Sequence, residues 1–209
     1  IDPNLLAEEF GLDQTRYFLM REVPVGKDGD FSRRAMIHRM NGDLANDLGN
    51  LSQRVLSMIF KNYSGVMPAL PATAAPEDSA LLDAADAMLG KVRAHMDVQS
   101  FHEALRCIWE VVSDANKYVD TTAPWGLKKT DPSRMGEVLA VLAETIRQAA
   151  ILVQPVMPGS ASKILDQLGV ADDQRGFDML AGAERIAAGV EISKPDPVFP
   201  RFVEEEGEV

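Results

Sequence analysis

Three polar side chains recur at steps of four along one segment of the chain, namely Asn46, Asn50 and Arg54. On an α-helix, residues four apart lie about 40° from one another, so this spacing places all three on one face, with Lys61 on the same side. Asn amides can donate to and accept from base edges, and an Arg guanidinium can bind phosphate or stack on a base. The stripe is a candidate RNA-binding surface. The alternative is the solvated face of an amphipathic helix.

An aromatic side chain lies at a break between two helical patterns. Trp125 follows Pro124, and Lys128 and Lys129 come soon after it. Unstacked bases of single-stranded RNA gain from a flat ring near cations. Two interpretations are open at this point: a platform for a nucleobase, or a core tryptophan at a helix junction. Trp109 lies in the apolar stripe of its own helix and is predicted to be buried.

Residue types that carry catalysis or bind metals are sparse. The three histidines have no spacing typical of a ligand pair, and Cys107 is the only cysteine, so no metal site is predicted. Glycine-rich phosphate loops, dinucleotide fingerprints and nucleophile elbows do not occur in the sequence. We therefore predict a binding module with no catalytic residue in this chain. The single cysteine favours a reduced, cytosolic compartment.

The net charge of −11 argues against a general nucleic-acid binder, which would carry a broad basic surface. Recognition of one small RNA element remains compatible with this charge if the positive potential is local, and such binding should depend on salt. The sequence contains no apolar run long enough for a membrane span. It begins without an initiator methionine or a signal pattern, so we expect a segment of a longer chain.

The elements that must position these residues are predicted to be helical throughout. Hydrophobic residues make up 46% of the chain and aromatic residues only 6%, a mixture that favours packed helices. Caps and apolar periodicity predict an all-α antiparallel helical bundle with a short helical segment in front. The predicted helices run over residues 2–10, 13–21, 32–62, 78–96, 98–120, 131–154 and 160–168, with a turn that reaches Lys129 and an extended tail.

Read in order, several segments resemble the methionyl-tRNA synthetase family of class I aminoacyl-tRNA synthetases. The resemblance covers most of the chain and is weakest over residues 66–96 and at the end. It rests on GLDQTRYFLMREVPVGKDGDFS (11–32), NGDLANDLGNLSQRV (41–55), YVDTTAPWGLKK (118–129), ILVQPVMPGSASKILDQLG (151–169) and PDPVFPR (195–201).

The resemblance implies that this chain recognises the CAU anticodon of methionine tRNA. It implies that Trp125 stacks on the cytosine at the first anticodon position and that Pro124 sets the turn holding the ring. Asn50 and Arg54 match positions that contact anticodon bases. One turn earlier lies Asn46, and Lys61 is a candidate phosphate contact. The implied organisation is the end of a stem-contact segment (1–34), an anticodon-binding bundle (35–190) and a tail that folds back on the body (191–209).

The family's HIGH and KMSKS motifs and its zinc knuckle do not occur in this sequence. The resemblance therefore implies a catalytic half elsewhere in the same protein, which binds ATP with magnesium and is the candidate location of a structural zinc. This chain alone is predicted to be inactive, and the whole protein to be a cytoplasmic monomer without a membrane partner. Two alternatives stay open: the anticodon module of an isoleucine, valine, leucine or cysteine enzyme, and a helical interaction module with no RNA role.

Overall fold

The structure, a computed structural model that describes residues 2–27, 29 and 31–203, consists of helices joined by short connections. The predicted all-α class is confirmed, and within this part of the chain the β pairing is a single bridge between Val66 and Glu191. The α-helices are α1 (Pro3–Phe10), α2 (Leu12–Glu22), α3 (Arg33–Arg39), α4 (Asn50–Asn62), α5 (Pro76–Asp97), α6 (Phe101–Thr122), α7 (Pro124–Thr130), α8 (Pro132–Val153) and α9 (Pro158–Gln167). A π-helix (Met40–Gly49) lies between α3 and α4, and two 3₁₀ turns (Asp172–Gln174 and Phe177–Met179) follow α9.

Helix ends largely follow the capping residues. The Asp2 carboxylate accepts a hydrogen bond from the backbone N–H of Asn4 at 2.8 Å, and Gly11, with φ of 93°, ends α1. Helix α8 begins in the same way, where the Asp131 carboxylate accepts from the N–H of Arg134 at 3.0 Å. Helix α6 begins at Phe101 and not at Val98, since Gln99 adopts a left-handed φ of 57° that a helix cannot contain.

The prediction of one uninterrupted α-helix over residues 32–62 is wrong. Ser32 caps α3 as expected, accepting from the N–H of Ala35 at 3.3 Å, but residues 40–49 are wound as a π-helix. The N–H of Asn50 accordingly donates to the carbonyl of Ala45, five residues earlier. A π-turn holds more residues than an α-turn, so the 40° offset predicted between Asn46 and Asn50 does not apply.

Tertiary contacts to Asp43 explain why this segment departs from the α-helix. The indole N–H of Trp109 donates to the Asp43 carbonyl at 2.9 Å, and the Tyr17 hydroxyl donates to the Asp43 carboxylate at 2.7 Å. The segment also contains Gly42 and Gly49, and glycine has a low intrinsic propensity for the α-helix. The π-helix is thus fixed by side chains from α2 and α6.

Helix α8 forms the centre of the bundle and packs against α4, α5, α6, α7 and α9. From Met135 to Val153 every residue except Glu137 is buried, which is the pattern of a helix enclosed on all sides. The main core therefore surrounds α8. None of the helices in the described part of the chain is long and apolar enough to cross a membrane.

A second, smaller core joins the first three helices to the tail. Its buried members are Phe10, Phe18, Met36 and Met40. The ring of Phe202 lies 5.0 Å from that of Phe10, centroid to centroid, so the tail packs against this core. The predicted extended tail includes residues 204–209, which lie outside the described residues.

Candidate nucleic-acid interface

The π-helix and α4 together carry the polar stripe. Asn46 lies in the π-helix, Asn50 is the first residue of α4, and Arg54 lies one turn further along α4. Both asparagines are exposed and Arg54 is half-buried, whereas Leu51 and Val55 on the opposite side belong to the core. Burial of the apolar side fixes the rotation of α4, so the stripe faces outward.

A strained turn presents Trp125 to solvent. Ala123, between α6 and α7, has φ of 43° and ψ of 59°, a left-handed conformation that non-glycine residues rarely adopt. Pro124 is the buried first residue of α7, where its fixed φ suits a helix start. Trp125 follows and is 53% exposed, so the interpretation of Trp125 as a core residue is wrong.

The structure brings Arg54 and Trp125 together. The guanidinium carbon of Arg54 lies 5.6 Å from the centroid of the indole ring, within the range of a cation–π contact. The same guanidinium donates to the carboxylate of Asp120, in the last turn of α6, at 3.0 Å. Asp120 is an exposed partner, and exposed ion pairs of this kind contribute only about 0–1 kcal/mol. The cation is held against the ring by contacts weak enough to be exchanged.

The other candidate residues are not part of this contact. Lys61 is exposed in the last turn of α4, without an ion pair among the described residues. Asn46 and Asn50 instead line a groove of about 350 Å³ whose further lining residues are Ala45, Gly49, Gln53, Pro197, Val198, Phe199 and Arg201.

Sequence reasoning missed three of the groups at this surface: Asp120, Gln53 and Arg201. Asp120 and Arg201 fall in two of the segments that carried the resemblance, YVDTTAPWGLKK and PDPVFPR, and Gln53 is one residue before Arg54. The signal was therefore present, but only the folded chain shows which of these side chains meet the stripe.

A part-buried hydrogen-bonded group forms around Asp43, which lies in the same π-helix as Asn46. Tyr17 and Arg39 both bind the Asp43 carboxylate, at 2.7 and 3.2 Å. Burial, and then the Asp43 carboxylate, raise the pKa of Tyr17 well above its ordinary value, so the phenol stays a hydrogen-bond donor. Within the described residues, groups of three or more His, Cys, Asp or Glu that could hold a metal ion do not occur.

This chain matches two family models and several known relatives. Residues 68–209 match the family model described as the anticodon binding domain of methionyl tRNA ligase, and residues 1–56 match that of class I (M) tRNA synthetases. Methionine–tRNA ligase of Brucella suis biovar 1 is 54% identical over 205 residues, which cover 98% of this chain and 39% of that protein. The chain therefore spans about two fifths of the length of the curated relatives it matches.

The solved structures agree with these relatives. The crystal structure of the apo form of Mycobacterium tuberculosis methionyl-tRNA synthetase matches with a TM-score of 0.94 and 48% identity, over 98% of this chain and 42% of that one. The same enzyme bound by methionyl-adenylate matches with a TM-score of 0.92 and 49% identity, over 96% of this chain and 40% of that one.

Proposed function

This chain belongs to the methionyl-tRNA synthetase family, and we propose that its exposed stripe and indole recognise the CAU anticodon of methionine tRNA. The complete protein then attaches methionine to that tRNA with ATP. An anticodon module for isoleucine, valine, leucine or cysteine is set aside, because the matching family models and the relatives named above are those of methionine enzymes.

The observation that carries this proposal is an exposed indole with a guanidinium 5.6 Å from its ring centroid. In the proposed complex, Trp125 stacks on the cytosine at the first anticodon position, and Pro124 holds the turn that presents the ring. Stacking of a base on an aromatic side chain contributes roughly 1–3 kcal/mol. Since every base has a π-face, this contact supplies affinity more than discrimination.

Discrimination is proposed to come from the polar groups. Asn50 and Arg54 contact base edges, and Lys61 binds a phosphate. Asn46, which lies one turn before Asn50, also binds the anticodon. A wrong base would leave these donors and acceptors buried against RNA without partners, which costs about 1–3 kcal/mol for each group. Together, stacking and pairing let one small face of an acidic protein select a short RNA loop.

We propose the domain organisation that the sequence suggested. Residues 1–34 end a stem-contact segment, 35–190 form the anticodon bundle, and 191–209 form the returning tail. Phe10 and Phe18 from the first segment share a small core with Met36 and Met40 from the second, so the two segments pack together across residue 34. Catalysis, with ATP, magnesium and a structural zinc, is assigned to the part of the protein outside this chain, and the protein is proposed to act as a cytoplasmic monomer.

The test is Trp125→Ala in the complete protein. We expect kcat/KM for aminoacylation to fall about 10-fold or more, since loss of 1.4 kcal/mol of binding corresponds to a factor of ten. Methionine-dependent ATP–pyrophosphate exchange, which needs no tRNA, should stay near the wild-type rate. Phe177→Ala, at another exposed aromatic residue, is the matched control and should change neither activity.

Two outcomes contradict the proposal. Equal loss of aminoacylation and of pyrophosphate exchange would show that Trp125 serves folding and not RNA binding. Unchanged affinity across transcripts that differ only in the anticodon would show that the face does not read the anticodon at all.

A further inference from the structure

The groove beside the stripe has one wall from the bundle and one from the tail. Asn46, Asn50 and Gln53 line the first wall, and residues 197–201 line most of the second. We propose that this groove is a second nucleotide subsite, which takes the base and phosphate of a nucleotide neighbouring the one on Trp125. The proposal rests on the proposed function, and it assigns to the tail a direct part in RNA binding.

The tail wall is held in place on both sides of Arg201. Before it, Phe199 is buried against Gly49, where a Cβ would lie 3.4 Å from the phenylalanine side chain and 2.8 Å from the carbonyl of Leu44. After it, the N–H of Phe202 donates to the Asn41 side chain at 2.8 Å, and the Asn41 amide donates back to the Phe202 carbonyl at 2.9 Å. The groove is therefore formed before any ligand arrives.

A further hydrogen bond fastens the tail at the bundle wall. The Gln53 side-chain amide donates to the carbonyl of Pro195 at 3.3 Å. This contact uses the amide N–H₂ of Gln53 and leaves its side-chain oxygen with no partner among the described residues. Gln53 thus ties the tail to the bundle, and its side-chain oxygen is a further acceptor on a residue that lines the groove.

The side chains of Asn46 and Asn50 are chemically suited to a base edge. Both are exposed, and within the described part of the chain neither amide has a hydrogen-bond partner. Each amide offers donors and an acceptor, the combination that base edges require. Pro197 and Val198 supply the apolar surface against which the flat face of a base can pack. The groove volume of about 350 Å³ falls in the range of small-molecule sites.

Arg201 provides the charge. It is exposed, lines the groove, and forms no ion pair within the described residues. A guanidinium left without a carboxylate partner, in a chain of net charge −11, is available for a phosphate of the RNA backbone. Amides for the base and a cation for the phosphate are the two parts of a nucleotide subsite.

The experiment measures binding of a CAU anticodon stem-loop RNA to the complete protein by fluorescence anisotropy over a series of salt concentrations. Arg201→Gln should weaken binding about 5-fold and reduce the slope of log K against log salt by about 0.7, the value expected for one phosphate contact on a single strand. Asn46→Ala should weaken binding by a similar factor. Because both groups hold one nucleotide, the double variant should lose less than the product of the two factors.

Controls separate this proposal from charge and from folding. Lys91→Gln removes an exposed cation from α5, outside the groove, and should leave the slope nearly unchanged. Arg201→Lys should recover most of the slope. Melting temperatures should match the wild type, since Arg201 and Asn46 are both exposed.

The outcomes are distinguishable. If Trp125→Ala weakens binding while Arg201→Gln and Asn46→Ala retain wild-type affinity and slope, the groove is not a subsite and the anticodon function stands. If Arg201→Gln has only the effect of Lys91→Gln, the tail contributes general charge and the proposal is overturned. If wild-type binding does not depend on the anticodon, the proposed function fails as well.

Discussion

Two polar clusters of this molecule use similar residue types and differ in where their partners come from. The exposed one is the stripe of Asn46, Asn50 and Arg54, whose side chains make one ion pair and one ring contact within the described chain. The buried one lies on α8 around Glu144, which has no exposed surface. The set of partners, and not the residue type, separates the structural cluster from the cluster that we propose binds RNA.

The buried cluster is fully paired. Glu144 accepts two hydrogen bonds from Arg147 at 2.8 Å, one from Gln148 at 2.9 Å and one from the backbone N–H of Ile186 at 2.8 Å. Gln148 donates onward to Asp86 on α5, which also binds Arg185 through both of its carboxylate oxygens. These contacts fasten the segment after the second 3₁₀ turn to α5 and α8.

The largest expected effect comes from breaking the buried cluster. Glu144→Gln keeps the shape of the side chain but leaves Arg147 buried without its counter-charge, and removing one partner of a buried pair costs about 3–5 kcal/mol. We expect the free energy of unfolding to fall by that amount in urea titrations of the complete protein followed by a probe in the bundle. Glu110→Gln, in an exposed pair with Arg106, is the control and should cost less than about 1 kcal/mol. If Glu144→Gln lowers the free energy of unfolding no more than Glu110→Gln does, the proposed difference between the buried and the exposed cluster is wrong.

The mirror experiment is Arg54→Gln in the exposed cluster. Here we expect binding of the anticodon stem-loop to weaken about 10-fold, equivalent to 1.4 kcal/mol, because the guanidinium that is proposed to contact a base edge is lost. The melting temperature should change little, since the ion pair with Asp120 is exposed. A large loss of stability with no loss of affinity for the stem-loop would show that Arg54 has a structural role and does not bind RNA.

A smaller expected effect concerns the stability that Asp78 contributes, which depends on pH. Burial acts to raise the pKa of this carboxyl, but hydrogen bonds from Arg134 and Tyr118 outweigh it, so the pKa lies below its usual value. The folded pKa is below the unfolded value of about 3.9, so this stabilisation is complete above pH 4–5 and is lost as pH falls through the folded pKa. The stability gap between wild type and Asp78→Asn should therefore narrow on acidification, measured by urea titrations between pH 7 and pH 3. A gap that widens toward low pH would contradict this sign.

Local sequence signals predict the helices well because caps act over a few residues. Asp2, Pro3 and Gly11 mark the ends of α1 without help from the rest of the chain. The π-helix could not be predicted, since its carbonyl at Asp43 is bound by Trp109, 66 residues away. Local propensity contains no information about such a partner.

The same distinction applies to the candidate site. The spacing of Asn50 and Arg54 predicts one face, because both lie in a regular α-helix. The exposure of Trp125 depends on the left-handed turn at Ala123, and the position of Arg201 depends on how the tail packs at Gly49. Glu144 and Arg147 resemble any surface pair in the sequence, and only the enclosure of α8 makes them structural.

The π-helix (Met40–Gly49) continues directly into α4 (Asn50–Asn62), and the helical winding changes at Gly49. Converting residues 40–49 to ordinary α-helix would rotate everything that precedes Met40 about the helix axis with respect to Arg54. The smaller core would turn with it, and Asn46 would lie about 40° from Asn50 around the axis, as in any α-helix. The rotation of the first three helices relative to the Trp125 indole thus depends on the π-helical winding of these ten residues.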